Sequence, residues 1–426
     1  MLGLILTESP LVGYMIVRSF LSKALAAVRA QKSENVYRRI GVTPLINGRG
    51  TWTYISGSIE WPEVTAARQE AVRHFVDMIE LQRAVSARLA ELSGAEAGMV
   101  TSGAAGALAA ATAACIAGTD PAKIWQLPDT TGLKHEVPLF GGRFPFDSAI
   151  RLAGGKVIPV ATHDELCAAI NENTAMICTT VLGEDLERVL ATAKKTSVPL
   201  LLDDAAGIPP FDNIRAYARM GVDLYTFSGG KGLRGPQSSG LLLGRRDLIT
   251  AALANSCPWE GAVCRAMKVG KEEIIGCLAA VEVWSKMDAK ALSEEWNSRV
   301  QRIARIVETV PGVRTCILIP QLANRYPSLD VSWDAHEWHF TPEDCYRELR
   351  DGDPRIEVLI ANNPVLLPGI TYDDFKTLPT PNTIRIVSTT LRPGEEWTVA
   401  GRLREVLSKA AKCRRYGLAL RSANMD

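Results

Sequence analysis

The sequence predicts an α/β protein built on a mostly parallel sheet of about seven strands, followed by a smaller α+β domain. Three observations predict this fold class. Short apolar runs recur from about residue 90, and they are continuous rather than alternating, as in strands covered on both faces. Helical stretches separate these runs. From about residue 290 the pattern changes to a long helix, widely spaced strands and a closing helix.

The elements follow from these patterns in chain order. The predicted strands of the large domain are 98–102, 123–127, 156–160, 175–181, 198–203, 222–227 and 240–244. Helices such as AAGALAAATAACIAG and EDLERVLATAKKT lie between them, and TCILIP, SLDVSW and TIRIVS are the later strands. We therefore expect an N-terminal helical and extended segment that contributes to the small domain and to dimer contacts (1–90), a large domain (91–285) and a small α+β domain (286–426).

The composition narrows the possible functions. The chain has 426 residues with 48 Lys and Arg against 47 Asp and Glu, a net charge of +1, so no strong basic field is available for nucleic acid. Nine scattered cysteines without a CxxC pair are typical of free thiols in a reducing cytoplasm. The apolar N-terminus is interrupted by charged residues and predicts no membrane span. We interpret 15–31 as an amphipathic helix that lies on a partner subunit; a mis-assigned start codon and a weak targeting segment are the alternatives.

A lone lysine between glycines is the most informative feature. Lys231 follows the apolar run VDLYTF and the residues Ser228, Gly229 and Gly230. Surface lysines usually lie among other charges, whereas this amine is held at a strand end by a loop that has almost no side chains. Such an amine suits a covalent carbonyl partner better than a salt bridge.

Two further features accompany the lysine. In VTSGAAGAL a strand leads into a helix through small residues, which leaves backbone N–H groups free to bind a phosphate or simply forms a tight turn. The residues of this turn are Ser102, Gly103, Ala104 and Ala105. Asp203 ends a buried strand, where its carboxylate needs a cationic partner or caps the next helix. Asp204 beside it caps that helix or pairs locally. Because Asp203 and Lys231 follow successive strands, we expect both at the same edge of the sheet.

These motifs resemble those of fold-type I pyridoxal-5′-phosphate (PLP) enzymes, in the branch that holds selenocysteine synthase (L-seryl-tRNA(Sec) selenium transferase) and D-glucosaminate-6-phosphate ammonia-lyase. The segments that carry the resemblance are INGRGT, HFVDMIELQ, VTSGAAGAL, LDDAAGIPP and SGGKGLRGPQSSGLL. The resemblance implies that Lys231 forms the Schiff base with PLP and that Asp203 pairs with the pyridinium nitrogen. It places Ser102 to Ala105 in the phosphate cup, with Ser228 assisting there.

The resemblance also bears on the substrate. Where selenocysteine synthases show an LGRAPL-like arginine, this chain reads ISGSIEW, and its charge is nearly neutral, so the ammonia-lyase side fits better than one that acts on tRNA. Arg265 and Lys268 match a basic stretch of the family that reaches the active site. Arg385 lies where many fold-type I enzymes bind a substrate carboxylate. Arg143 is a candidate anion contact or a surface arginine.

Two histidine features complete the candidates. His135 stacks on the cofactor ring, shuttles a proton, or is a solvated loop residue. His336 and His339 favour a packed or exposed pair on a strand over a metal site, because no third ligand is evident, so no metal is expected.

The leading hypothesis is a cytoplasmic PLP-dependent lyase that is at least a homodimer. It would eliminate the β-substituent of a hydroxylated, possibly phosphorylated amino acid to give a 2-keto acid and ammonia. The alternatives are a PLP-dependent transferase, by β-replacement or transamination, and a PLP-binding protein without turnover. No nucleic-acid partner is expected.

Overall fold

A computed structural model describes residues 35–320, 324–361 and 379–415. The helix expected at 15–31 lies outside these residues. The described strands are β1 (Ile46–Asn47), β2 (Ala97–Thr101), β3 (Glu136–Phe140), β4 (Lys156–Val160), β5 (Ile177–Thr179), β6 (Leu200–Asp203), β7 (Leu224–Ser228), β8 (Gly240–Gly244), β9 (Arg314–Leu318), β10 (Ser328–Ser332), β11 (Ile356–Glu357), β12 (Leu359–Ile360) and β13 (Thr383–Val387).

The described α-helices alternate with these strands. They are α1 (Pro62–Ala71), α2 (Met78–Ser93), α3 (Gly103–Ala117), α4 (Pro121–Gln126), α5 (Ser148–Leu152), α6 (His163–Ala169), α7 (Glu184–Thr196), α8 (Asn213–Met220), α9 (Arg246–Ala254), α10 (Lys271–Lys286), α11 (Ala289–Val307), α12 (Ala335–Trp338), α13 (Pro342–Arg350) and α14 (Glu395–Arg415).

A seven-stranded sheet forms the centre of the large domain, in the order β2-β8-β7-β6-β5-β3-β4. Strands β3 to β7 pair in parallel, and β8 pairs antiparallel with both β7 and β2. Apolar side chains on both faces of the sheet are buried in two separate core clusters. The alanine-rich α3 is buried along most of its length, because small side chains allow a helix to approach the sheet closely. The predicted fold class is therefore confirmed.

One predicted strand of this sheet is wrong. Residues 123–127 lie in and just after α4, whose N-cap Asp120 accepts hydrogen bonds from two backbone N–H groups and whose first residue is Pro121. Asp followed by Pro is a helix-start signal, and it outweighs the apolar pattern here. The strand at this point of the fold is β3, where Pro138 occupies a strand interior and masks the signal.

A smaller antiparallel sheet follows, in the order β12-β13-β10-β9. The apolar faces of α11, α13 and α14 pack with it in a third core cluster. The pair expected at His336 and His339 lies on α12 and its C-terminal cap rather than on a strand. Within the described residues, no group of three or more His, Cys, Asp or Glu side chains is arranged to hold a metal ion.

The N-terminal segment connects the two sheets. β1 pairs in parallel with β11, and the carbonyl of Gly48 accepts a hydrogen bond from the N–H of Val387 in β13 (2.8 Å). The chain then crosses to the large domain, where Ser58 Oγ donates to the carbonyl of Gly230 (2.9 Å). In the part of the chain that the structure describes, no helix has the length and apolar character to span a membrane.

Candidate active site

The carboxyl ends of β6 and β7 bring the predicted acid and lysine to one edge of the sheet. Asp203 is the last residue of β6 and pairs in register with Thr226 of β7. Lys231 follows three residues after the end of β7. Because the two strands are parallel and adjacent, both side chains emerge at the same edge.

The loop that carries Lys231 is fixed by close backbone contacts. The N–H of Gly229 donates to the carbonyl of Ser239 (2.8 Å), and the N–H of Gly235 donates to the carbonyl of Gly229 (2.8 Å). A Cβ atom at Gly232 would lie 1.8 Å from the carbonyl oxygen of Ile208. Glycine is required there by the close approach of two backbones, and the loop holds the lysine in one place as a result.

Burial dominates the electrostatics of Lys231. Burial lowers the pKa of its amine, while the nearby carboxylates of Asp203 and Asp204 oppose that change. The Nζ atom lies 6.0 Å from the centroid of the Phe146 ring. A larger fraction of neutral amine near pH 7 favours nucleophilic attack on a carbonyl carbon.

Asp203 is buried, with 8% of its surface exposed. Burial raises the pKa of its carboxyl to about 6, against opposing effects of Lys231 and of a hydrogen bond from the N–H of Ala205 (3.1 Å). A buried carboxylate at this position is stabilised by a cationic partner.

Asp204 has a different environment from its neighbour. Its Oδ2 atom accepts a hydrogen bond from the hydroxyl of Tyr217 (2.6 Å), which belongs to α8. The pKa of Asp204 is raised by burial, and this bond opposes the rise. Of the two roles expected for Asp204, the structure shows the local pair.

The turn after β2 forms the third part of the site. Ser102 is the N-cap of α3, but its side chain makes no capping hydrogen bond to the first turn of the helix. A Cβ atom at Gly240, the first residue of β8, would lie 2.3 Å from the carbonyl carbon of Gly103. Glycine is therefore required at 240 for β8 to pack against the start of α3. The N–H groups that the Ser102 side chain leaves uncapped there favour an anion.

The basic segment around Arg265 lies beside this turn. Cys264 and Met267 line a small cavity of about 10 Å³ together with Ser102. Arg265 is half-buried and its Nε lies 3.6 Å from Glu260, whereas Lys268 is exposed. The structure brings this segment to the site; a substrate contact for Arg265 or Lys268 stays a prediction.

Two other predicted substrate contacts already have carboxylate partners. Arg143 lies beyond the carboxyl end of β3 and forms a bidentate ion pair with the buried Asp147. Arg385 in β13 forms a bidentate pair with Asp330 of β10, at 2.6 and 2.8 Å. Each arginine would have to share or exchange its partner to bind a substrate anion.

The structure does not bring His135 to the site. This residue precedes β3, and its Nδ1 lies 2.9 Å from the carbonyl oxygen of Leu133. The carboxyl end of β3 is Phe140, which pairs with Thr179 at the edge that also holds Asp203. His135 therefore lies at the opposite edge, about five residues or ~17 Å away along the strand. The predicted ring-stacking or proton-transfer role of His135 is corrected accordingly.

Two residues were not anticipated from the sequence: Phe146, beside Lys231, and the buried Arg49. Phe146, in the turn after β3, presents its ring to Lys231. Arg49 is fully buried, its Nη1 donates to the carbonyl of Val358 (3.0 Å), and it lines a cavity of about 30 Å³ together with Arg385. Arg49 could have been recognised in the sequence, because it is the charged residue of the apolar and glycine-rich stretch INGRGT.

Comparisons with known proteins identify relatives over most of the chain. D-glucosaminate-6-phosphate ammonia lyase of Salmonella typhimurium is 28% identical over 394 residues, covering 88% of this chain and 99% of the relative. A 5′-C-glycyluridine monooxygenase-decarboxylase of a Streptomyces species is 31% identical over 297 residues, covering 65% of this chain and 72% of the relative. The solved structure of a D-glucosaminate-6-phosphate ammonia-lyase matches with a TM-score of 0.73 and 27% identity, covering 89% of this chain and all of that one.

The chain belongs to the fold-type I PLP enzymes. L-seryl-tRNA(Sec) selenium transferase of Moorella thermoacetica, 25% identical over 80% of this chain and 82% of the relative, lies in the same branch. The resemblance found in the sequence is thus confirmed. A search of protein-family models gave no match. Within this PLP enzyme family, the three parts of the site described above correspond to the motifs that carry the resemblance.

Proposed function

We propose that this protein is a PLP-dependent lyase that eliminates the β-hydroxyl of an amino acid and releases a 2-keto acid and ammonia. The observation that carries the proposal is the placement of Lys231, Asp203 and the open N-terminus of α3 at one edge of the sheet. The similarity to D-glucosaminate-6-phosphate ammonia lyase along nearly the whole of that relative supports elimination as the reaction type.

The residues present fit PLP. The phosphate would lie at the N-terminus of α3, whose first N–H groups donate no hydrogen bond to the side chain of the N-cap Ser102. Asp203 would accept a hydrogen bond from the protonated ring nitrogen, which offsets the cost of its burial. Lys231 offers an amine whose pKa is lowered by burial.

Bound PLP supplies a carbonyl carbon that condenses with amines and a ring that accepts electrons from the substrate Cα. The residues of this chain would do the rest. Lys231 is the base that removes the proton from Cα, because its amine is held at the strand end by the glycine loop. The electron pair left at Cα expels the hydroxyl from Cβ, which leaves as water once it receives a proton. Hydrolysis returns one water, so the net products are one 2-keto acid and one ammonia.

Ammonia and keto acid measured together test the proposal. Purified protein is incubated with a panel of hydroxylated amino acids and sugar amino acids, including D-glucosaminate and its 6-phosphate, without any added keto acid. We expect equal amounts of ammonia and 2-keto acid over many turnovers. Turnover that stops after one equivalent and resumes when a keto acid is added shows transamination and rejects the lyase.

A second reaction type has support from the comparisons. The Streptomyces relative is named as a monooxygenase-decarboxylase, and its identity to this chain is slightly higher than that of the ammonia lyase. Oxygen uptake and carbon dioxide release are therefore measured in the same incubations. Product formation that stops without oxygen supports the oxidative reaction, whereas formation that is unchanged supports elimination.

A further inference from the structure

A cavity of about 260 Å³ lies between the loop that carries Lys231 and helix α11. Arg234 of the lysine loop, Arg299 of α11 and the segment 389–393 after β13 line it. Lys231 and Asp203 do not line it, and the cavity is separate from the candidate active site.

Arg234 differs from the other arginines of this cavity in its contacts. Its guanidinium stacks on Trp61 with 3.7 Å from Cζ to the ring centroid, and its Nε donates to the carbonyl of Ile59 (2.8 Å). Among the described residues, it forms no ion pair with a carboxylate. Burial and the like charge of Arg299 lower the pKa of Arg234 to about 10, against smaller opposing effects of Glu295 and Glu63.

The other charges around the cavity are already paired. Arg299 is 6% exposed, pairs with Glu295 and donates to the carbonyl of Leu391. Arg392 pairs with Glu395 of α14. Three arginines and one glutamate line the cavity. Because Glu295 pairs with Arg299 and Glu395 pairs with Arg392, Arg234 is, within the described ranges, the one arginine of this lining without an ion-pair partner.

Thr390 also lines the cavity. The Oγ1 atom of Thr390 is buried and has no hydrogen-bond partner in the structure. Leaving a buried hydroxyl without a partner costs about 1–3 kcal/mol, and an oxyanion would accept its hydrogen bond. Rotation about χ1 of Thr390 would turn this hydroxyl toward the cavity without breaking a hydrogen bond. A cation together with such a hydroxyl donor matches the chemistry of a phosphate group.

We propose that this cavity binds a phosphate group, as inorganic phosphate or on a phosphorylated small molecule, between Arg234 and Thr390. The site also contacts the loop that carries Lys231, because the N–H of Arg234 donates to the carbonyl of Lys231 (2.9 Å). An anion that holds Arg234 therefore restrains the loop that presents the lysine. The proposal is independent of the reaction type and of the cofactor.

Isothermal titration calorimetry of the full chain saturated with PLP tests the site, with inorganic phosphate and glucose 6-phosphate as probes at low ionic strength. We expect saturable binding by the wild type. Arg234→Gln should weaken binding about 30-fold or more, and Thr390→Val should weaken it roughly tenfold, since hydrogen bonds to charged groups contribute about 1.5–3 kcal/mol. Arg219→Gln, a matched change at an exposed arginine paired with Asp212, should leave binding within about twofold.

The two probes distinguish the source of the phosphate. Tighter binding of glucose 6-phosphate supports a phosphorylated small molecule, and equal affinity supports free phosphate. Absence of binding, or binding that Arg234→Gln and Thr390→Val leave unchanged, overturns the proposal. Thr390→Val breaks no hydrogen bond seen in the structure, so it decides the question if Arg234→Gln does not fold. Should the protein prove unable to bind PLP, the proposed function fails while this titration still tests the cavity.

Discussion

Lys231 should be the residue that carries the cofactor. We expect the purified protein to be yellow, and borohydride reduction should fix PLP on Lys231, because its amine combines burial with a lowered pKa. Peptide mass spectrometry locates the label, and Lys231→Ala should abolish it. Lys268→Ala is the control, since this exposed lysine should not form the covalent bond. A label on any other lysine contradicts the assignment.

Substitution of Asp203 should mainly reduce activity, whereas substitution of Asp204 should mainly reduce stability. Asp203→Ala removes the carboxylate beside Lys231, and we expect a loss of activity of about 10²-fold or more. Asp204→Ala leaves the buried Tyr217 hydroxyl without its partner, which should lower the free energy of unfolding by about 1–3 kcal/mol with a smaller effect on turnover. Steady-state kinetics and urea denaturation measure the two effects. Equal losses of activity would show that the two carboxylates have been assigned wrongly.

The affinity for PLP should depend on pH through Asp203. Its pKa of about 6 lies above the usual value of an aspartate, so the carboxyl is protonated at pH 5 and ionised at pH 7. A cationic ring nitrogen needs the ionised form, and we expect the affinity to rise from pH 5 to pH 7 by up to about tenfold per unit. In the protein without PLP, stability depends on pH in the opposite sense. Between pH 4 and 6 Asp203 binds more protons in the folded state than in the unfolded state, so its contribution to the free energy of unfolding falls as the pH rises. Titrations of wild type and Asp203→Asn test this, and a slope that survives the substitution rules out Asp203 as its origin.

The position of a site residue could be predicted from the sequence only where that residue directly follows a recognisable strand. Asp203 and Lys231 follow adjacent parallel strands, so their shared edge follows from the pattern. His135 was misplaced because the strand that it precedes contains Pro138 and was not recognised. The partner of Arg385 depends on the register of β10 and β13, which apolar alternation does not specify across distant segments.

At the scale of elements, β8 lies so close to α3 that a side chain at position 240 should destabilise the protein. In Gly240→Ala the new Cβ would lie within 2.3–2.6 Å of backbone atoms of Gly103 and Ala104. We expect a loss of about 1–3 kcal/mol in unfolding free energy together with weaker PLP binding. Gly401→Ala in the exposed part of α14 meets nothing within 4 Å and should stabilise the protein by about 0.5–1 kcal/mol. Thermal unfolding compares the two, and PLP affinity unchanged in Gly240→Ala would argue against the α3 phosphate site.

The elements differ in how well their patterns predict them. Helix α7 and strand β6 follow from uniform periodicity and were predicted closely. The run at 123–127 is short enough to fit either a strand or a helix, and only the Asp-Pro start decides it. The strands β9, β10 and β13 of the small sheet are visible in the sequence but their order is not, because β13, the last strand of the chain, lies between β12 and β10.

At the scale of the whole molecule, we expect at least a homodimer. The segment between α1 and α2 exposes Val72 and Val76 together with Phe75, which is 104% exposed. A fully exposed phenylalanine beside two exposed valines is typical of a protein interface. Light scattering should show a dimer or a larger oligomer across dilution, and Phe75→Asp should shift it toward the monomer. Trp125→Asp is the control at an exposed aromatic residue outside this segment. An active monomer at all concentrations would contradict the expectation.

The pairing of β1 with β11 has a consequence for biosynthesis. Arg49 donates to the carbonyl of Val358, a residue 309 positions later in the chain. While the ribosome is still making the large domain, the N-terminal segment has neither its strand partner nor the acceptor for its buried charge. Contacts of such long sequence separation form slowly, because a large loop must close first. The seven strands of the large sheet all lie before residue 245, so that sheet can form while β1 still has no partner. We expect the N-terminal segment to need protection by chaperones until β11 has emerged.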